Sequence, residues 1–276
     1  MNLAETSKII KALYKSPEFA GVEELKTLLK VTEDVQNLSC FSDITVLTDV
    51  LEQKISVANK WECASLTIRI VNLVIEVAPE KVQIEACKYV ETKLFTYITH
   101  EEARVRSLCS ILIKTVVSKQ GIPFFRKIAD FLLSDIHEKI DERKIFDRPA
   151  LLGEANSVPL DDTTGWRTLE SSLLNLISLV DGLVSAYALS EESRILAFRL
   201  IDEILLPQDI QTMLISKTST HVNRHVRKAG LELINSLISC TPSKKISFSA
   251  SAAHSPSISL MATLMLSALQ LGLQVT

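Results

Sequence analysis

Hydrophobic residues recur along most of this chain at three- and four-residue spacing, which gathers them on one face of a helix. In 60–78, Ala64, Ile68, Val71 and Ile75 share such a face. Pro79 suits the first turn of a following helix, 79–98, where its missing N–H costs nothing. Thr99 and Glu102 have the spacing of a capping box, and Glu102 sits four residues before Arg106, the favourable order for a surface ion pair. The next helix buries Val105, Leu108, Leu112 and Val116. Gly121 ends it, and Pro123 opens another that runs to Asp141.

The pattern breaks over 142–163, which holds Pro149, Gly153 and Pro159 without an apolar period. This loop is longer than most connections in compact domains. Asp162 or Thr163 can cap a helix over 164–185, and Ser190 can cap one over 191–206, with Ala197, Ile201, Ile204 and Leu205 inward. A short helix is expected near 207–217. A last clear helix covers 220–240, with Val222, Val226, Ala229, Leu233 and Leu237 as its apolar stripe. Weaker patterns place helices near 3–15, 21–37 and 43–57. The organisation is a helical domain over 1–240, followed by a serine-rich linker and an apolar tail over 241–276, expected to be poorly ordered.

Four helix starts superpose: Trp61-Glu-Cys-Ala64, Val105-Arg-Ser-Leu108, Trp166-Arg-Thr-Leu169 and Val226-Arg-Lys-Ala229. Trp61 to Val105 spans 44 positions, inside the range of HEAT and armadillo repeats. The later intervals are 61 and 60; the first of them contains the long loop. Val105-Arg106 with Leu108 and Leu112, Val226-Arg227 with Ala229 and Leu233, and Asp161 followed by Arg167 resemble the HEAT or armadillo pattern over roughly residues 20–240. That resemblance implies an all-α fold, an α-α superhelix or solenoid of stacked helical hairpins. HEAT versus armadillo and the repeat number stay open, because the prolines of HEAT first helices are mostly absent.

Composition narrows the class further. Seven glycines in 276 residues are too few for phosphate loops, hairpin arrays or β-sandwiches, which need glycine where φ is positive. Five cysteines, at 40, 63, 87, 109 and 240, form no CxxC pair and read as small buried hydrophobes of a reduced compartment. With no signal-peptide pattern at the start, a cytoplasmic or nuclear location is expected. The net charge of −3 argues against nonspecific nucleic-acid binding.

That charge is unevenly spread. From Lys217 to Lys245, the cations Lys217, Arg224, Arg227, Lys228, Lys244 and Lys245 face Glu232 alone. This is either a solvated helix rim or a docking patch for an acidic protein surface. His221 and His225 are four apart, yet Arg224 and Lys228 share that helical face and oppose a dication, so no metal is expected. Asp161-Asp162-Thr163-Thr164-Gly165 reads as helix capping, since no strand precedes it to support phosphoaspartate chemistry. No cofactor motif or nucleophile elbow is present, and no cofactor is expected.

Trp61 and Trp166 each open a helix, and their rings serve either inter-helix packing or partner contact. The residues singled out for a partner are Lys60, Trp61, Trp166, Arg167, Arg224, Arg227 and Lys228. The expected function is a non-catalytic scaffold that binds a protein along a helical-repeat surface. Asn59-Lys60-Trp61 and Trp166-Arg167 also resemble helix-opening loops of tubulin-binding TOG domains, which implies a tubulin-binding alternative. A third reading is a helical enzyme with a site near 142–163. Residues 258–275 form an uncharged apolar run of 18, read as a docked helix, a short membrane anchor or a non-native end. The last of these is favoured, and membrane association is expected only if that run anchors the chain.

Overall fold

Residues 3–15, 21–33, 60–93, 95–141 and 165–240 are described in the computed structural model, and every regular element among them is helical. The helix expected at 43–57, the loop 142–163 and the segment 241–276 lie outside the described residues. The elements are α1 Leu3–Lys15, α2 Val22–Thr32, α3 Lys60–Val77, α4 Glu80–Lys93, α5 Phe95–Ile98, α6 Ala103–Gln120, α7 Ile122–Ile140, α8 Trp166–Ala186, α9 Glu191–Leu205, α10 Gln208–Gln211 and α11 Arg224–Cys240. A π-helical turn, Thr212–Lys217, continues α10.

The helix ends follow local chemistry. Gly121 closes α6 at φ 66°, a conformation that favours glycine, and its N–H donates to the Val117 carbonyl at 2.8 Å. Ser190 caps α9, its Oγ accepting the Ser193 N–H at 3.1 Å. The capping box expected at Thr99 and Glu102 does not form. Glu102 is itself the N-cap of α6, without a side-chain cap bond, and its N–H donates to Nδ1 of His100 at 3.0 Å. Asp162 and Thr163 lie outside the described residues; Gly165, at φ 93°, occupies the N-cap of α8.

The chain divides into two compact units, 1–124 and 125–276. In the first, α3 packs chiefly against α6 and α2, and α4 flanks α3 and α6. The polar contacts show that α2, α3 and α6 run parallel. Lys26 meets Glu62 at 3.4 Å and Glu33 meets Arg69 at 3.8 Å, both 36 positions on. Trp61 meets Arg104 near the N-terminal ends of α3 and α6, and Lys119 donates to the Glu76 carbonyl at 3.2 Å near their C-terminal ends, both 43 positions on. The interior faces of these helices carry Ala64, Ile68, Val71 and Ile75 on α3 and Val105, Leu112 and Val116 on α6, all buried as the periodicity predicts. Burying each such aliphatic side chain contributes roughly 1.5–3 kcal/mol. The spacing places Leu108 in this core as well; it is only half-buried.

In the second unit α8 packs most extensively against α11, with α9 beside α8 and the π-turn against α11. These two long helices are also parallel: Trp166 meets His225 near one end, and Ser236 donates to Asp181 at 2.9 Å toward the other. Asp135 of α7 accepts from Ser172 of α8 at 2.6 Å and pairs with Lys139. By length and composition α8 is apolar enough to cross a membrane, yet 56% of its most apolar window is buried within the protein. Val222 departs from the sequence reading. It is 58% exposed, because α11 begins only at Arg224.

Candidate functional site

The turns that open α6 and α11 are built alike. The first reads Thr99-His-Glu-Glu-Ala-Arg-Val-Arg106, the second Thr220-His-Val-Asn-Arg-His-Val-Arg227. In both, the histidine Nδ1 accepts the N–H two residues on, from Glu102 at 3.0 Å and from Asn223 at 3.1 Å. In both, the arginine six residues after the histidine folds back across the helix start. Arg106 Nη1 donates to the carbonyls of His100 and Glu101, each at 2.8 Å. Arg227 Nη1 donates to those of His221 at 2.7 Å and Val222 at 2.8 Å. Turn carbonyls without helical partners are thereby satisfied by charge-assisted bonds. Arg106, only 8% exposed, is held this way rather than by Glu102; the ion pair of Glu102 is with Arg104, at 3.8 Å.

Arg227, singled out as a partner contact, is half-buried, and its Nη1 is bonded to its own backbone. One expectation is corrected. His221 and His225 do not share a helical face, because His221 lies in the turn before α11. His221 is half-buried, and burial lowers its pKa below the ordinary 6.5, with the Arg227 charge acting in the same direction. No cluster of metal-ligating side chains occurs among the described residues.

The residue two before each of these arginines covers a tryptophan of the neighbouring parallel helix. Arg104 places its guanidinium 4.9 Å from the centre of the Trp61 ring. His225 stacks on Trp166 with ring centres 4.9 Å apart and planes at 20°. The guanidinium of Arg167 lies 5.4 Å from the same Trp166 ring, a cation–π distance. Arg224 Nε donates to His225 Nε2 at 3.4 Å, and His225 Nδ1 lies 3.8 Å from Glu170. Both tryptophans, expected either to pack between helices or to meet a partner, contact the start of the neighbouring parallel helix.

Of the predicted residues, the fold gathers Trp166, Arg167 and Arg224 into one cluster and adds His225, whose sequence position suggests only a metal ligand. Lys228 pairs with Glu232 at 3.6 Å, and Lys217 with Asp141, so the basic run is less concentrated than its sequence. Trp61 belongs to the first unit; the Lys60 side chain, Lys244 and Lys245 lie outside what is described. Cys63, Cys87 and Cys109, on three successive long helices, are buried free thiols, and Cys240 is half-buried. Burial pushes the thiols of Cys87 and Cys240 up to about 11, as expected of packing rather than reactive cysteines.

No family model and no curated protein matches the chain. What the described residues define is an all-helical architecture whose units each contain parallel neighbouring helices, with like opening turns at α6 and α11.

Proposed function

We propose that this protein is a non-catalytic scaffold of the helical-repeat, α-solenoid type, which binds a protein partner at an edge formed by helix starts within a unit. The observation that carries this reading is the duplicated turn: two helix starts, 121 positions apart, use the same histidine and arginine to lock the backbone and present a cation or histidine against a tryptophan. Repeated helix starts of this kind are a feature of helical-repeat proteins, which use their stacked helices to bind partners. In the second unit the edge made by the α8 and α11 starts carries exposed Arg167, 5.4 Å from the Trp166 ring, and exposed Arg224, bonded to the His225 that stacks on that ring, an arrangement suited to an acidic protein surface. Aromatic and arginine side chains are the residue types that dominate protein interfaces.

The test is affinity capture with the wild-type chain and with R167E/R224E. A stoichiometric partner retained by the first and lost by the second is expected. A partner retained equally by both places its contact elsewhere and overturns the edge assignment. The tubulin-binding alternative instead requires co-sedimentation with tubulin that falls when Lys60 and Trp61 are mutated together.

A further inference from the structure

We infer that the Trp166 edge takes an acidic peptide segment and that protonation of His225 tightens its grip; this rests on the edge assignment made under Proposed function. Arg104 and His225 occupy the same place in the duplicated turn, and each covers a tryptophan of the neighbouring helix at 4.9 Å. One position holds a permanent cation. The other holds the side chain whose charge changes across the neutral range.

The groups around His225 define what that change does. Across from it on α8 stand Glu170, 3.8 Å from Nδ1, and Arg167, over the far partner Trp166. On its own helix Arg224 donates to Nε2, and Lys228 is paired with Glu232. The π-turn packed on α11 contributes Lys217, engaged by Asp141. While the imidazole is neutral, its Nε2 lone pair holds Arg224 and its Nδ1 faces Glu170. Protonation at Nε2 removes the acceptor. The already exposed Arg224 then loses its bond to the imidazole, and its Nε is left for a carboxylate. The edge gains one positive charge and one released guanidinium in the same step.

Two readouts test this. The chain has two tryptophans, so the W61F variant reports Trp166 emission alone. A stacked imidazolium quenches indole emission. Emission that falls as pH drops through the histidine range, and stays flat in W61F/H225Q, is expected. Flat emission in W61F itself overturns the switch. The second readout is binding of a labelled oligoaspartate peptide, whose carboxylates stay ionised between about pH 6 and 8. Affinity of the wild type at the lower pH is expected to exceed that at the higher by on the order of fivefold. H225R, which copies the Arg104 arrangement, binds tightly at both, and H225Q weakly at both. Binding that is lost in R167E/R224E yet independent of pH in the wild type overturns the role of His225 and leaves the edge assignment standing. No binding by wild type or H225R, or binding undiminished in R167E/R224E, overturns both.

Discussion

Arg227 reaches back across the first turn of its own helix to the carbonyl of His221, 2.7 Å away, and Arg106 makes the same contact to His100 at 2.8 Å. Each arginine closes a turn that leads into a long helix, and each uses one nitrogen for two carbonyls. The contact sets where α6 and α11 begin, and so where Arg104 and His225 fall over their tryptophans.

Removing either arginine leaves turn carbonyls without their donor. Hydrogen bonds to a charged group are worth about 1.5–3 kcal/mol, so R106A and R227A are each expected to lose stability on that scale. R106A should lose more, because its stem is buried as well. Neighbouring R224A, an exposed substitution, is expected to stay within about 0.5 kcal/mol. Hydrogen exchange localises the effect: faster exchange at the start of α6 in R106A and of α11 in R227A. Unchanged protection in both would show that the turns hold without the arginines.

Gly230 lies buried in α11 where the helix meets the end of the π-turn. A Cβ there would sit 2.3 Å from Thr218 Oγ1 and 2.7 Å from Thr218 Cβ. Thr218 has little room to give, since its hydroxyl donates to the Leu214 carbonyl at 2.5 Å. Overpacking costs about 1–3 kcal/mol, against about 1 kcal/mol gained from alanine's helix propensity. G230A is therefore expected to lower the thermal midpoint; a raised midpoint would mean the contact yields easily.

His221 couples the second unit to pH. Its folded pKa lies below the ordinary 6.5, chiefly through burial, so the unfolded chain binds its proton first. The stability held by the neutral ring is complete above about pH 6.5 and is lost as pH falls toward the folded value. H221N keeps an acceptor for the Asn223 N–H and cannot titrate. Denaturation series below neutrality should show a shallower loss of stability in H221N than in wild type. Parallel curves would assign the pH dependence to other groups.

The amphipathic spacing and scarce glycine made the all-helical character of the described residues legible from the chain alone, along with most of the interior faces of α3, α6 and α11, the stop at Gly121 and the start at Ser190. These are local properties: a period of 3.6 residues, a left-handed glycine, a hydroxyl at an N-cap. The Val-Arg pairs at 105–106 and 226–227 were also visible as repeated helix starts. Their shared histidines, His100 and His221, carried the remaining signal for the turn.

Only the tertiary structure decided what those residues do. Arg106 could have paired with Glu102, and Arg227 could have faced solvent. Both turned to backbone carbonyls, because a buried or half-buried guanidinium is better satisfied by fixed acceptors than by one mobile carboxylate. The cluster of Trp166, Arg167, Arg224 and His225 spans 59 positions from Trp166 to His225 and exists because α8 and α11 lie parallel and in register. Helical periodicity determines which face of each helix is apolar. It does not state which helix end that face will meet, since packing between distant segments depends on the whole set of side chains at the contact.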